Sequence, residues 1–134
     1  MPRIALTLLL CLLAAAAAAV EVGSVANSRF GDDWTLDGPR QANARAKLLN
    51  SANFGAGGTF PEAINNTDTA AELTLPLLQT FEVFYIGFFE DASPNAFTAS
   101  ELAAMRAYVD QGGVMIITCD SEDFDAVCSE FGFP

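Results

Sequence analysis

Two runs of aromatic and β-branched residues, FEVFYIGFF at residues 81–89 and VMIIT at residues 114–118, flank a helix whose start and stop are both written into the chain. Neither run alternates apolar with polar residues, so neither is expected to have a wet face; strands of this kind belong in a sheet covered on both sides. Between them Thr98 predicts an N-cap, Glu101 closes a capping box from the third helical position, and Phe97 opposes Leu102 as a hydrophobic staple. Leu102, Met105, Tyr108 and Val109 give that helix its core face, and Gly112-Gly113 ends it. A further helix is expected over residues 121–131, with a stripe of Phe124, Val127, Cys128 and Phe131. Strand, helix, strand, helix with strands apolar throughout requires parallel pairing through right-handed crossovers. The expected class is α/β, with a doubly wound, mostly parallel sheet.

The amino-terminal half is less sharply written. Residues 20–25 predict a short strand, followed by a polar, turn-rich stretch over residues 27–38. Pro39 suits the first turn of a helix, where its missing N–H has no partner, and Ala42, Ala46 and Leu49 supply an apolar face. Residues 53–58 (NFGAGG) are glycine-rich but carry no Lys for a phosphate-binding loop, and they read as a flexible connection. A weak strand is expected over residues 59–64. Asp68 or Thr69 then caps a short helix, with Glu72 behind it and Pro76 limiting its length.

Before all of this, Arg3 precedes an unbroken apolar run over residues 4–20, and Ala17 to Ala19 present the small side chains a signal peptidase accepts. That is the layout of a cleavable secretory signal over residues 1–19, cut near Ala19, which places the mature chain outside the membrane in a secreted or periplasmic compartment. The run is short for a span of ~20 residues, and Cys11 has Leu10 before it where a lipoprotein signal needs a small residue. Residues 20–134 then form a single domain. The chain holds 17 acids against six bases, a net charge of −11. Nucleic acid and anionic membrane surfaces are therefore excluded as partners.

Residues 81–133 resemble the class I glutamine amidotransferase-like fold, a flavodoxin-like arrangement. The resemblance rests on the aliphatic strand, the E-L-x-x-M-x-x-Y-V-x-x-G-G helix ending at Gly113, and I-I-T-C-D at the end of the next strand. It is closest to exported or uncharacterised members related to the ThuA-like group, and residues 20–80 match only loosely. In catalytic members a cysteine nucleophile stands on a tight strand-to-helix turn within G-x-C-x-G, and Cys119 occupies the matching place. Ile117 and Ser121 stand where the two glycines belong, and Ile117 would crowd a strained elbow. The chain has no histidine. A thiol with a pKa near ~8.5 stays mostly protonated without a base, a cation or a helix terminus to lower it, and Asp120, Glu122 and Asp123 would raise it. The resemblance therefore implies a fold and not a chemistry.

In doubly wound sheets ligands collect at the carboxyl ends of the strands, here residues 90–95 and 119–123, with residues 27–30 a third loop. Glu90, Asp91, Ser93, Asn95, Cys119, Asp120 and Ser121 are the expected ligand-binding residues. Asp120 and Asp123 are the candidate metal ligands, since carboxylates take Ca²⁺ or Mg²⁺; the helix dipole accounts for carboxylates in a first turn without a metal. Asp91-Ala92-Ser93 is similar to the D-x-S-x-S opening of von Willebrand A domains, but Asn95 breaks the match. Cys119 and Cys128 are expected as separate thiols: a rise of ~1.5 Å per residue over a helix beginning near Ser121 would part them by roughly 10 Å, beyond disulfide reach. Asn65-Asn66-Thr67 is a glycosylation sequon.

The expected function is an exported, non-enzymatic binding or scaffold module without a cofactor, its partner a small molecule, a glycan or a protein. The rivals are a thiol hydrolase or amidotransferase using Cys119 and a cation-dependent adhesion module. Only three or four strands are legible, so the chain also reads as truncated after Pro134.

Overall fold

The computed structural model describes residues 18–30, 33–87, 97–119 and 126–132. Four strands, β1 (Val20–Val25), β2 (Ile64–Thr69), β3 (Val83–Ile86) and β4 (Val114–Ile117), form one sheet in the order β2-β1-β3-β4. Every pairing is parallel, including Gly23 beside Phe84 and Phe84 beside Met115. The expected α/β class with a parallel, doubly wound sheet is what the chain adopts. From β1 the chain steps outward to β2 and then back across to β3 and β4, so the strand order reverses between β1 and β3.

Among the described residues five helices connect or follow the strands: α1 (Asn27–Phe30), α2 (Ala42–Leu48), α3 (Leu75–Leu78), α4 (Ala99–Asp110) and α5 (Ala126–Glu130), with a 3-10 turn at Pro39–Gln41 leading into α2. The start of α4 is as its sequence dictates. Thr98 Oγ1 accepts from the Glu101 N–H at 3.2 Å, and the Thr98 N–H donates to the Glu101 carboxylate at 2.9 Å. At the other end Gly112 takes φ +94°, a left-handed conformation that lets the chain leave the helix. Met105 and Tyr108 are buried and Leu102 packs beside them, but Val109 is 36% exposed and does not belong to the core face.

Because register neighbours in a parallel sheet share a face, the two sides of the sheet can be read from the pairing. Val25, Phe84, Ile86, Met115 and Ile117 face α3 and α4 and build the main core with Leu78, Phe97, Met105 and Tyr108. Close packing there makes Gly23 obligatory: a Cβ on it would stand 2.5 Å from the Phe81 ring and 2.6 Å from the Phe84 ring. The opposite face carries Val20, Val22, Ile64, Val83, Tyr85, Val114 and Ile116 and meets α2. Among the described residues no helix covers its β3–β4 half, and Val114 and Ile116 are 51% and 49% exposed. Full burial of both apolar strands is therefore corrected: β3 and β4 are closed on one face and half open on the other.

Other boundaries shift for local reasons. The strand expected over residues 59–64 is β2 at Ile64–Thr69, whose sequence INNTDT is polar because it is an edge strand. Asp68 and Thr69 therefore end a strand and cap no helix. Thr74 caps α3 instead, with Pro76 in its first turn. On α2 the residues turned to the sheet are Ala44 and Leu48, and Leu49 is 45% exposed. The glycine-rich stretch is knit by backbone hydrogen bonds from Gly55 to Phe60, Gly58 to Gly55, Thr59 to Ala52 and Phe60 to Asn53. Phe54 and Phe60 stack across it at 5.2 Å.

Candidate functional site

Cys119 is the one expected ligand-binding residue that falls among the described residues. Glu90, Asp91, Ser93, Asn95, Asp120 and Ser121 lie outside them, as does the candidate metal ligand Asp123. Cys119 is not a free thiol. It forms a disulfide with Cys128, the Cα atoms 6.2 Å apart, which overturns the expectation of two separate thiols. The axial-rise estimate failed because it counted helical residues from Ser121, whereas Cys128 is the third residue of α5. One end of the bridge, Cys119, is exposed; the other, Cys128, is 2% exposed beside Val127, which packs in the main core. The bridge thus ties the end of β4 to the core through α5. Among the described residues no three of His, Cys, Asp and Glu cluster as a metal site.

At the carboxyl ends of β1, β2 and β3 the sheet closes around a residue that sequence reading treated only as a cap. Glu101 is 1% exposed and one of its carboxylate oxygens takes both the Arg29 guanidinium, at 2.5 Å, and the Leu73 N–H, at 2.9 Å. The other oxygen accepts from the Thr98 N–H. Arg29 also donates to the Ala71 carbonyl at 3.0 Å and stands over the Phe97 ring. Burial pushes the Glu101 carboxyl up, but the N–H donors of Leu73 and Thr98, with Arg29, together outweigh it and hold the group below the ordinary carboxylate range. Arg29 leaves β1, Leu73 follows β2 and Glu101 follows β3, so one carboxylate joins three crossovers at the point where the strand order reverses. Its lone pairs are occupied by these structural partners, and this place acts as a clamp.

Among the described residues, a site open to a ligand lies on the other face. A cavity of about 400 Å³ is bounded by the sheet on one side and by α2 and the loop after it on the other. Its floor is Val20, Val22, Val83 and Ile116, with Ile64 at the β2 edge; its wall is Ala44, Leu48 and Phe54. Leu36 and Tyr85 complete it. Tyr85 is the one lining side chain with a polar atom. Burial raises its hydroxyl above the ordinary tyrosine range, and a hydrogen bond with Thr118 works the other way. Val20, Ile64 and Val83 open their strands, so the cavity sits on the sheet face toward the amino ends and not in the expected crevice at the carboxyl ends.

Beyond the cavity, Asp68 accepts from the buried Ser24 hydroxyl and from Asn66 Nδ2 at 2.8 Å, and pairs with Arg45 of α2 at 2.6 Å. This polar cluster fixes α2 over β1 and β2 and so sets the width of the opening. Sequence reading missed the cavity because apolar strands do not say which helix will cover them. Asn65, the acceptor of the sequon, is exposed on β2 and donates to Glu21 at 2.7 Å. No protein-family model, no curated protein and no solved structure matches the chain.

Proposed function

We propose that the chain is an exported, non-enzymatic binding module of glutamine amidotransferase-like architecture, and that it holds a small apolar molecule in the cavity between α2 and the sheet. The observation that carries this reading is the cavity: about 400 Å³, walled by aliphatic and aromatic side chains, with a single hydroxyl at Tyr85. Pockets of ~300–1,000 Å³ with apolar walls and few polar groups are the usual seats of small ligands. Leaving such a surface to water is unfavourable, and an apolar occupant relieves it. A thiol mechanism has less support, since the sulfur of Cys119 is bonded to Cys128 and the chain has no histidine to serve as its base.

The test uses N-phenyl-1-naphthylamine, a neutral fluorophore that brightens in apolar surroundings. Saturable one-to-one binding to the native chain is expected, and Ile116→Glu, which sets a charge on the cavity floor at a half-exposed position, should abolish it. A linear, unsaturable signal from the native chain would overturn the reading. Iodoacetamide addresses the rival: without reductant Cys119 should remain unlabelled, and rapid labelling at neutral pH would restore a thiol enzyme to first place.

A further inference from the structure

The cavity between α2 and the sheet has a direction as well as a volume. Its sheet-side residues fall in three tiers that the strand register fixes: Val20 beside Ile64, Val22 beside Val83, and Tyr85 beside Ile116. With the strands in the order β2-β1-β3-β4, each tier lies one strand further across the sheet than the tier before it. The floor therefore runs as a diagonal, from the amino end of β2 to the carboxyl half of β4. Resting on the binding reading above, we infer that the ligand is the unbranched alkyl tail of a single-chain lipid, laid along this diagonal with its head group in solvent.

At ~3.3 Å per residue and ~4.8 Å per strand, the diagonal covers roughly 13 Å along the strands and roughly 14 Å across them, a length of about 19 Å. Polar groups keep it from widening toward β2. Asn66 and Asp68 hold the second and third tiers of that strand, and Asp68 is engaged by Ser24, by Asn66 and by Arg45 at 2.6 Å. Ala44, Leu48 and Phe54 close the trough from above. A cavity of about 400 Å³ drawn out in this way is long and narrow. It suits a chain that can lie extended, and a compact ring of equal volume cannot fill it.

Among the described residues no side chain lining the trough carries a charge, and the Tyr85 hydroxyl is hydrogen-bonded with Thr118. A charged head group would find no counter-charge on these walls, and burying it unpaired would be costly. At the β4 end Ile116 is half exposed, and among the described residues no helix covers Val114 beside it. The head group leaves the trough there. Tail length and shape, and not head-group charge, then govern affinity.

Displacement of bound N-phenyl-1-naphthylamine from the intact chain by uncharged alcohols tests the inference: hexanol, octanol, decanol, dodecanol and cyclododecanol, each below its solubility limit. Potency should rise about fourfold with each methylene of the linear series, since each buries a further CH₂. Decanol should displace the dye at about one tenth of the concentration that cyclododecanol needs, although the ring has more carbons, because a ring leaves the ends of the trough without contacts. In Ile64→Trp, which fills the β2 end, the gain should stop short of dodecanol while hexanol displaces as before. A ring as potent as decanol, or a gain that runs on unchanged to dodecanol in Ile64→Trp, overturns the extended tail and leaves the binding module standing. Dye that no alcohol displaces does the same. Should the variant not fold, the comparison of ring with chain on the native protein decides alone. Failure of the fluorophore itself to bind removes the binding reading beneath it.

Discussion

Arg29 and Glu101 stand 72 residues apart in the chain and meet as an ion pair of 2.5 Å, with the carboxylate side chain 1% exposed and the guanidinium 15%. The pair joins the segment leaving β1 to the first turn of α4, and through the Leu73 N–H it reaches the segment leaving β2 as well. Three chain crossings thus depend on one side chain. Removing a partner from such a pair leaves the other charge or its donors uncompensated, which costs more than the pair itself contributes.

Glu101→Gln should therefore destabilise the fold by about 3 kcal/mol at neutral pH. The pH dependence follows from the direction of the carboxyl's shift. Held below the ordinary carboxylate range in the fold, it contributes stability that is fully present above the unfolded value of about 4.3. That contribution is lost as pH falls through the lower, folded value. Urea unfolding of the native chain and Glu101→Gln should show a wide gap at pH 7 that narrows toward pH 3. A gap that stays constant would mean that Glu101 acts through its shape and not its charge.

The Cys119–Cys128 bridge closes a short loop, with a sequence separation of nine. Chain entropy for a loop of that size gives about 2.5 kcal/mol of stabilisation. Cys119→Ala/Cys128→Ala should lower the melting temperature relative to the oxidised chain and match the fully reduced one. Intact mass under non-reducing conditions should be two hydrogens below the sum of the reduced residues. Identical melting with and without reductant would show that the link between β4 and α5 is held by Val127 and Phe131 packing alone.

What could be read from the sequence was what is decided locally. Thr98 and Glu101 are three residues apart, so the capping box and the start of α4 were legible before any fold was known. The same Glu101 also binds Leu73 and Arg29, 28 and 72 residues away, and no local signal carries that second role. The parallel sheet was legible because FEVFYIGFF and VMIIT are too apolar for a solvated hairpin. The exposure of Val114 and Ile116 was not, since an apolar strand records the burial it can accept and not the helix that arrives. Strand β2 was misplaced because Asn65 is satisfied by Glu21, and Asp68 by Ser24 and Arg45, from other elements, while Asn66 donates to Asp68 within the strand. The disulfide depended on where α5 begins, which its sequence left ambiguous.

Gly23 is held by contact more than by its own conformation. An added methyl group would sit 2.5 Å from the Phe81 ring and 2.6 Å from the Phe84 ring, closer than a Cβ comes to any neighbour in a relaxed core. Gly23→Ala should cost about 1–3 kcal/mol from overpacking. Phe81→Leu, which removes the nearer ring, should recover part of that loss, so the double variant should be more stable than the two single effects added together. Simple additivity in guanidinium unfolding would refute the crowding account.

The chain has only two tyrosines, and burial raises both of their hydroxyls above the ordinary range. For Tyr85 the Thr118 hydrogen bond opposes burial. For Tyr108 a backbone hydrogen bond with Val114 opposes it and the charge of Glu82 adds to it, while the hydroxyl donates to the Phe81 carbonyl at 3.0 Å. Because tyrosinate is disfavoured only in the folded chain, stability is fully present below the unfolded value of about 10. It declines as pH rises from there through the folded values. Absorbance at the tyrosinate band should thus show little ionisation in the native chain at pH 10, where the urea-unfolded chain is about half ionised. Tyr108→Phe should lose about 1–2 kcal/mol at pH 7 with its hydrogen bond, and its deficit should shrink above pH 10, where it no longer has a buried hydroxyl to keep protonated. Native and unfolded titration curves that coincide would remove both tyrosines from the interior, and with Tyr85 the polar point of the proposed ligand cavity.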